Sequence, residues 1–297
     1  MSIAAVIVTY NRLDFLKELV QSITSQSRKP DEIIVINNSS TDGTAEWLAG
    51  QDNVTTVTQD NVGGAGGQYT GILTAYLNGH DYIWIMDDDV LPAADCLEKL
   101  EKYSGEKRIC APLRYTVEGK PFFNDAIEYD LEHPFRGFWR GIISEDMLKN
   151  DWVDAVGLTF EGPLFHRSVL ERIGLPEKKF FIYGDDTEYF IRASKAGCDI
   201  GVVTGARMDR KLPSAAPEKE FTWKHFYIVR NLIAMHVLHG TLPVRIIRPW
   251  IYLLKWLKRA RTPKNMKTVF KAFFAGYFYK SGNPTFEEIK KAHDLDS

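Results

Sequence analysis

The chain has 297 residues, 44% of them hydrophobic and 26% charged, with a formal net charge of −2. This is the composition of a soluble globular protein of one large domain, or of one domain with an appendage. No apolar run approaches the roughly 20 residues that span a bilayer. Three scattered cysteines, Cys96, Cys110 and Cys198, exclude a disulfide framework and point to a reducing cytoplasm.

The N-terminus enters a strand-like run at once, Ile3 to Thr9, with no basic leader or cleavage site before it. Leu13 to Ser27 carries a helical stripe of Leu13, Leu16, Leu19, Val20 and Ile23. Glu32 to Asn37 reads as a second strand, Thr44 to Leu48 as a short helix and Val54 to Thr58 as a third strand. Gly67 to Asn78 follows as a helix and Tyr82 to Met86 as a fourth strand. Strands alternating with helices predict a mostly parallel, doubly wound α/β sheet with ligands at the strand carboxyl ends. From Arg108 to Phe165 the pattern is irregular, and Val153 to Phe160 is its clearest strand. Val169 to Ile173 and Asp186 to Ala196 read as helices, and Ile200 to Thr204 as a strand. Beyond a break at Pro213 and Pro217, three helices are predicted: Thr222 to Leu238, Val244 to Ala260 and Met266 to Tyr279.

The small net charge conceals an asymmetry. Between Glu220 and Glu287 there is no Asp or Glu but twelve Lys and Arg, leaving 25 basic against 39 acidic side chains elsewhere. The split suggests an α/β domain over 1–215 and a basic helical region over 216–297 with different partners. Around Pro249 to Arg259, cations and aromatics alternate at helical spacing, as on a helix lying on an anionic membrane surface. The same pattern suits a helix packed on the core with a solvated basic face. A nucleic-acid groove would explain the charge but not the bulky aliphatics, so no nucleic-acid partner is expected.

The polar residues of the first half fall at the strand ends. Asp87-Asp88-Asp89 follows the fourth strand, and three adjacent carboxylates suit a hard divalent cation or, alternatively, a solvated acidic turn. Asn61 to Gly67 holds Gly63, Gly64, Gly66 and Gly67, which let backbone N–H groups approach a phosphate or sugar, or make a tight strand-to-helix turn. Asn37 to Thr44 offers amides, hydroxyls and Asp42, fit for a nucleoside or for a turn and cap. Asp185-Asp186 opens a helix behind Phe180, Phe181 and Tyr183; one carboxylate would cap the helix, whereas a desolvated one is poised as a general base.

The order of Thr9-Tyr10-Asn11-Arg12, the Asn-Ser-Ser-Thr-Asp-Gly turn, the Asp triplet and Phe181 to Asp186 with Arg192 and Gly197 resembles the inverting family-2 glycosyltransferases. The match covers residues 2 to about 210, and the glycine run and Asp triplet look most like galactofuranosyltransferases, then rhamnosyltransferases. The resemblance implies a GT-A fold, with the C-terminal helices as an extension. It implies a transfer from a nucleotide sugar, UDP-galactofuranose first and dTDP-rhamnose second, to a glycan or lipid-linked glycan at the inner membrane face. Thr9, Tyr10, Asn11, Arg12, Asn38 and Asp42 would hold the nucleotide, and Asn61, Gly63, Gly64, Gly66 and Gly67 would border the diphosphate and sugar. Asp87 and Asp89 would bind Mn²⁺ or Mg²⁺ beside Asp88, Asp186 would be the base, and Asp185 would contact the acceptor. The family's usual metal-binding His is absent from Gly205 to Arg210, where Asp209 is the candidate substitute unless it pairs with Arg207 or Arg210. Pro176-Glu177 also departs from the Asp-Glu that often precedes the aromatic run. A catalytically inactive binding protein on this fold and a nucleotidyltransferase are the rival readings.

Overall fold

Every residue of β1 (Ile3–Thr9) is buried, and its side chains alternate between two apolar layers, as a strand covered on both faces requires. Ala4, Val6 and Val8 face one layer, and Ile3, Ala5 and Ile7 the other. The computed structural model describes residues 1–122, 126–213 and 220–293. The expected division at 215/216 and Pro217 lie outside the described residues.

After β1 come α1 (Leu13–Thr24), β2 (Glu32–Asn37), α2 (Thr44–Leu48), β3 (Thr55–Thr58), α3 (Gly63–Leu77) and β4 (Tyr82–Asp87). There follow β5 (Val90–Pro92), α4 (Cys96–Tyr103) and β6 (Arg108–Tyr115), then an antiparallel ribbon of β7 (Ala126–Tyr129) and β8 (Trp139–Ile142). The core resumes with β9 (Trp152–Asp154), β10 (Leu164–His166), α5 (Ser168–Ile173), α6 (Asp185–Lys195) and β11 (Asp199–Arg210). Four helices close the chain: α7 (Lys224–His239), α8 (Leu242–Ala260), α9 (Pro263–Tyr277) and α10 (Phe286–Ala292).

The main sheet runs β3-β2-β1-β4-β10-β6-β11-β5, with β9 added beside β11. Pairings among β1, β2, β3 and β4, and between β6 and β11, are parallel; β10, β5 and β9 run antiparallel. This is the mostly parallel α/β sheet expected. Side chains of α3, α5 and α6 pack on one face, and those of α1 and α4 on the other.

Three differences from the sequence reading have clear causes. The expected strand Val153 to Phe160 ends at Asp154; beyond it Ala155, Leu158 and Phe160 fill the core from an irregular path, so their burial mimicked a strand. β11 is longer than expected because a register shift between Val203 and Arg207 lets it continue along β6 to Asp209. The helix expected from Gly67 starts at Gly63, because its glycines seat it on the sheet. A Cβ on Gly67 would lie 2.4 Å from Val8 Cγ1, and one on Gly71 2.3 Å from Val6 Cγ1.

The basic region is packed against the rest of the chain. Ala234 and Met235 of α7 share a cluster with Ala65, Phe180 and Ile191, and Phe286 of α10 meets Tyr76 edge-on at 5.1 Å.

Candidate active site

Val8 stands opposite Asp87 in the β1–β4 pairing, and Thr9 opposite Asn37 in the β1–β2 pairing. Three parallel strands therefore deliver their polar ends to one edge. Thr9 Oγ1 donates to Asp88 Oδ2 at 2.7 Å, and Arg12 Nη1 donates to Asp88 Oδ1 at 2.9 Å and to Asp89 Oδ2 at 2.7 Å. Burial pushes the Asp88 carboxyl up to about 6, against the opposing pull of Arg12 and Thr9.

Asp87 is different. Among the described residues it forms no ion pair, although its charge reaches Arg12, and Gln68 Nε2 at 3.2 Å is its hydrogen-bond partner. Burial first, then the charges of Asp89, Glu161, Asp88 and Asp185, hold its carboxyl well above the ordinary range. A partly buried carboxylate among like charges is stabilised by a hard cation that takes its remaining ligands from phosphate and water. The oxygen-only donors of Asp87 and Asp89 fit such an ion. Among the described residues no group of three His, Cys, Asp or Glu side chains encloses an ion alone.

Asp209, the candidate substitute for the missing His, is paired here with Arg207, the alternative the sequence offered. Arg207 holds the Asp209 carboxylate through Nη2 at 2.7 Å and Nε at 2.9 Å on an exposed stretch of β11.

A cleft of about 580 Å³ opens over the strand ends, walled by Thr9, Tyr10, Arg12, Asn38, Asn61, Gly63, Gly64, Asp87 and Asp88. The start of α3 borders it, with Asn61 Oδ1 accepting from the Gly63 N–H at 3.0 Å. Asn38 joins two walls: it accepts from Gln59 Nε2 at 2.7 Å and donates to the Gly63 carbonyl at 3.2 Å. Four expected donor-site residues support the cleft without lining it. Asn11 Oδ1 accepts the Thr41 N–H at 2.7 Å, and Asp42 accepts the Leu13 N–H at 2.9 Å and the Thr44 hydroxyl at 2.6 Å. Gly66 and Gly67 pack against Val62 and Val8.

The loop before α6 crosses the same edge with positive φ at Phe181 (64°), Tyr183 (68°) and Gly184 (79°). Such a path persists only where neighbours over-determine it. The buried Asn231 amide of α7 does so, within hydrogen-bond distance of the carbonyls of Phe180 (3.0 Å), Ile182 (3.0 Å) and Tyr183 (2.7 Å). Tyr227 stacks on Phe181 at 5.0 Å, and Gly63 leaves room for the Phe181 carbonyl, which a Cβ there would meet at 2.1 Å.

This loop places Asp185 and Asp186 at the first turn of α6. Asp186 Oδ1 accepts the Thr187 N–H at 2.6 Å. Burial raises both carboxyls above the usual range; the charge of Asp186 adds to the effect at Asp185, while Thr187 and Arg114 oppose it at Asp186. Ile182 lies on the wall of the first cleft, whereas Gly184 and Thr187 lie on that of a second, about 510 Å³, with Trp139, Tyr252 and Trp256 as walls and Lys255 and Arg259 beside them. The Asp pair stands between two clefts.

Glu161 and its partners were missed in the sequence. Arg114 Nη1 and Arg210 Nε reach Glu161 Oε2 at 2.7 and 3.2 Å, and Trp84 Nε1 pins the loop by donating to the Gly162 carbonyl at 2.9 Å. The available signal was Arg114 itself, a charge inside the apolar run Arg108–Tyr115 and only 5% exposed.

Comparison with known proteins gives the fold and the family. The sequence is 28% identical over 251 residues to galactofuranosyltransferase GlfT1 of Mycolicibacterium smegmatis, covering 75% of this chain and 81% of that one. It is 32% identical over 218 residues to GlfT1 of Mycobacterium tuberculosis, covering 69% and 68%. A crystal structure of GalNAc-T7 with UDP, GalNAc and Mn²⁺ superimposes with a TM-score of 0.66 at 12% identity, over 99% of this chain and 58% of that one. S. aureus TarS 1-349 in complex with UDP-GlcNAc does so with a TM-score of 0.57 at 15% identity, over 93% and 82%. These likenesses identify the fold as GT-A. Residues 4–174 match the family described as Glycosyl transferase family 2, and the chain, a glycosyltransferase, belongs to that family.

Proposed function

We propose that the chain is a metal-dependent, inverting transferase acting on a nucleotide sugar. Its favoured donor is UDP-galactofuranose, then dTDP-rhamnose, and its acceptor is a hydroxyl of a glycan or lipid-linked glycan. One observation supports the reading: Asp185 and Asp186 open α6 between Ile182, on the wall of the cleft that holds Asp87 and Asp88, and Thr187, on the wall of a second, aromatic cleft. The named relatives are galactofuranosyltransferases, which supports the donor order. The three cysteines, all buried and unpaired, support work on the cytoplasmic side.

In this reading Thr9, Tyr10, Arg12 and Asn38 hold the nucleotide, and the first turn of α3 at Gly63 and Gly64 faces the diphosphate. Asp87 and Asp89 would hold Mn²⁺ or Mg²⁺, which when bound offsets the charge developing on the leaving diphosphate. Asp186 accepts the proton of the attacking hydroxyl, and its raised carboxyl suits a general base near neutral pH. Asp185 accepts a hydrogen bond from the acceptor. The hydroxyl oxygen bonds the anomeric carbon as the carbon–phosphate oxygen bond breaks on the opposite face, so a single displacement inverts configuration.

The test is a panel of nucleotide sugars with Mn²⁺ and simple glycan acceptors, scored for nucleoside diphosphate release. Release from UDP-galactofuranose is expected, with an inverted linkage by NMR. Pyrophosphate release would mark a nucleotidyltransferase, and binding without turnover a non-catalytic protein; either refutes the proposal.

A further inference from the structure

The C-terminal helices carry an apolar surface that no part of the described chain covers. On α8, Leu242, Ile246, Trp250 and Leu254 are 68%, 51%, 48% and 69% exposed, each four residues after the last. On α9, Met266, Phe270, Phe274 and Phe278 repeat the spacing, with Phe278 just past the helix end. Residues four apart share one face of a helix, so each set forms a stripe.

The two stripes form one surface. Arg261, at φ 55°, ends α8, and Thr262 caps α9, folding the helices back on each other. The Trp250 ring lies 4.9 Å from Phe273, Phe273 lies 5.3 Å from Phe274, and Phe274 stacks on Phe278 at 6.5 Å. The adjoining sides of both helices, Leu253 and the buried Phe273 among them, already pack in a cluster with Val229 and Ile233 of α7, so Phe273 is the buried seam between the two stripes. Exposed large apolar side chains in such number mark a contact surface.

Charge selects the partner. Lys267 and Lys271 flank Phe270 and Phe274, and Lys258, Arg261 and Lys264 surround the turn, all exposed. Among the described residues none of these five has an acidic partner, and there is no Asp or Glu between Glu220 and Glu287. A second copy of the chain would set cations against cations across a two-fold contact, which is unfavourable. No helix of the described chain is long and apolar enough to cross a membrane. Apolar stripes bordered only by cations match the boundary between acyl chains and anionic headgroups.

We propose that the α8–α9 hairpin docks flat on an anionic lipid bilayer. The Phe, Trp, Leu and Ile side chains enter the headgroup boundary, and the lysines and arginines meet lipid phosphates. The proposal is independent of the donor and acceptor assignments.

The test uses the full chain with vesicles of phosphatidylcholine, with or without about 30% phosphatidylglycerol. Co-sedimentation with the anionic vesicles is expected, with a blue shift of Trp fluorescence and release at high salt. Combined Phe270→Ser, Phe274→Ser and Phe278→Ser should weaken partitioning more than about tenfold. Lys267→Gln with Lys271→Gln should weaken it on anionic vesicles only. Thermal midpoint and UDP binding should be unchanged in both variants, separating loss of docking from loss of fold. Partitioning unaffected by the triple substitution overturns the proposal. So does a chain that ignores anionic vesicles and instead forms a dimer, or binds an acidic polypeptide, through this face.

Discussion

Replacing Asp186 by Asn should make the protein more stable and nearly inactive at once. Burial raises the Asp186 carboxyl above its unfolded value near 3.8, so the fold pays for keeping it ionised. The sign follows. Below the unfolded pKa both states are protonated and the cost is absent; it grows as pH rises and is complete above the folded pKa. Each pKa unit corresponds to about 1.4 kcal/mol, and solvent in the cleft reduces the net effect to about 1 kcal/mol. Asn retains an oxygen for the Thr187 N–H, so that contact survives. The variant should melt about 2 °C higher at pH 8, a gain that shrinks toward zero as pH falls below the unfolded value, by calorimetry without nucleotide. Its kcat should fall about 10²- to 10⁴-fold while UDP binding persists, because Asp186 is not on the donor-cleft wall. A lower melting point at pH 8, or a kcat within tenfold of wild type, would refute the assignment.

Asp87→Asn should weaken UDP binding by more than about tenfold in Mn²⁺ and hardly at all in EDTA, by titration calorimetry. Gly71→Ala, whose Cβ would meet Val6 Cγ1 at 2.3 Å, should cost about 1–3 kcal/mol in urea unfolding. Gly64→Ala, whose Cβ meets nothing within 4 Å, should leave stability intact and reduce donor affinity. Burial of Glu188 is outweighed by Arg192 and then His239, which hold its carboxyl below the usual range. Glu188→Gln should therefore cost about 3 kcal/mol at pH 7, a gap that closes as pH falls through the folded pKa. Asn231→Leu should lower kcat about tenfold or more through a displaced base loop and also raise the KM for the donor, because Phe181 and Ile182 of that loop wall the donor cleft.

The half of the site made by parallel strands was legible because position in a strand fixes position in the sheet. Thr9, Asn37 and Asp87 had to emerge together once their strands were adjacent. What the sequence withheld was partnership. Asn11 and Asp42 look like ligands for a nucleoside; the turn reading already covered Thr44 on Asp42, but nothing local reveals that Thr41 claims Asn11 and Leu13 claims Asp42. The glycine run hid two uses, since Gly63 and Gly64 face the cleft while Gly66 and Gly67 serve packing. Glu161 escaped because its environment is assembled from β6 and β11, far apart in sequence. α10 was overlooked although Thr285 and Glu288 form a capping box, because seven residues give too short a stripe to read.

The charge boundary near residue 220 is therefore not a packing boundary. α7 begins the acid-free stretch, yet its Asn231 holds the loop that aims Asp186. α8 lies against α7 and divides its own surface. Trp250 and Leu254 belong to the outward apolar stripe, whereas Tyr252 and Trp256 wall the second cleft. Residues two apart on a helix are about 200° apart around its axis, so these two pairs point to well-separated sides. If lipid meets the first side, an acceptor carried at the lipid surface has to pass only around one helix to reach the cleft beside the Asp pair. Lys255 and Arg259, on the wall of that cleft, lie over the rings of Tyr252 and Trp256. The region that composition sets apart is thus the part of the molecule that links the outward apolar stripe to the cleft beside Asp185 and Asp186.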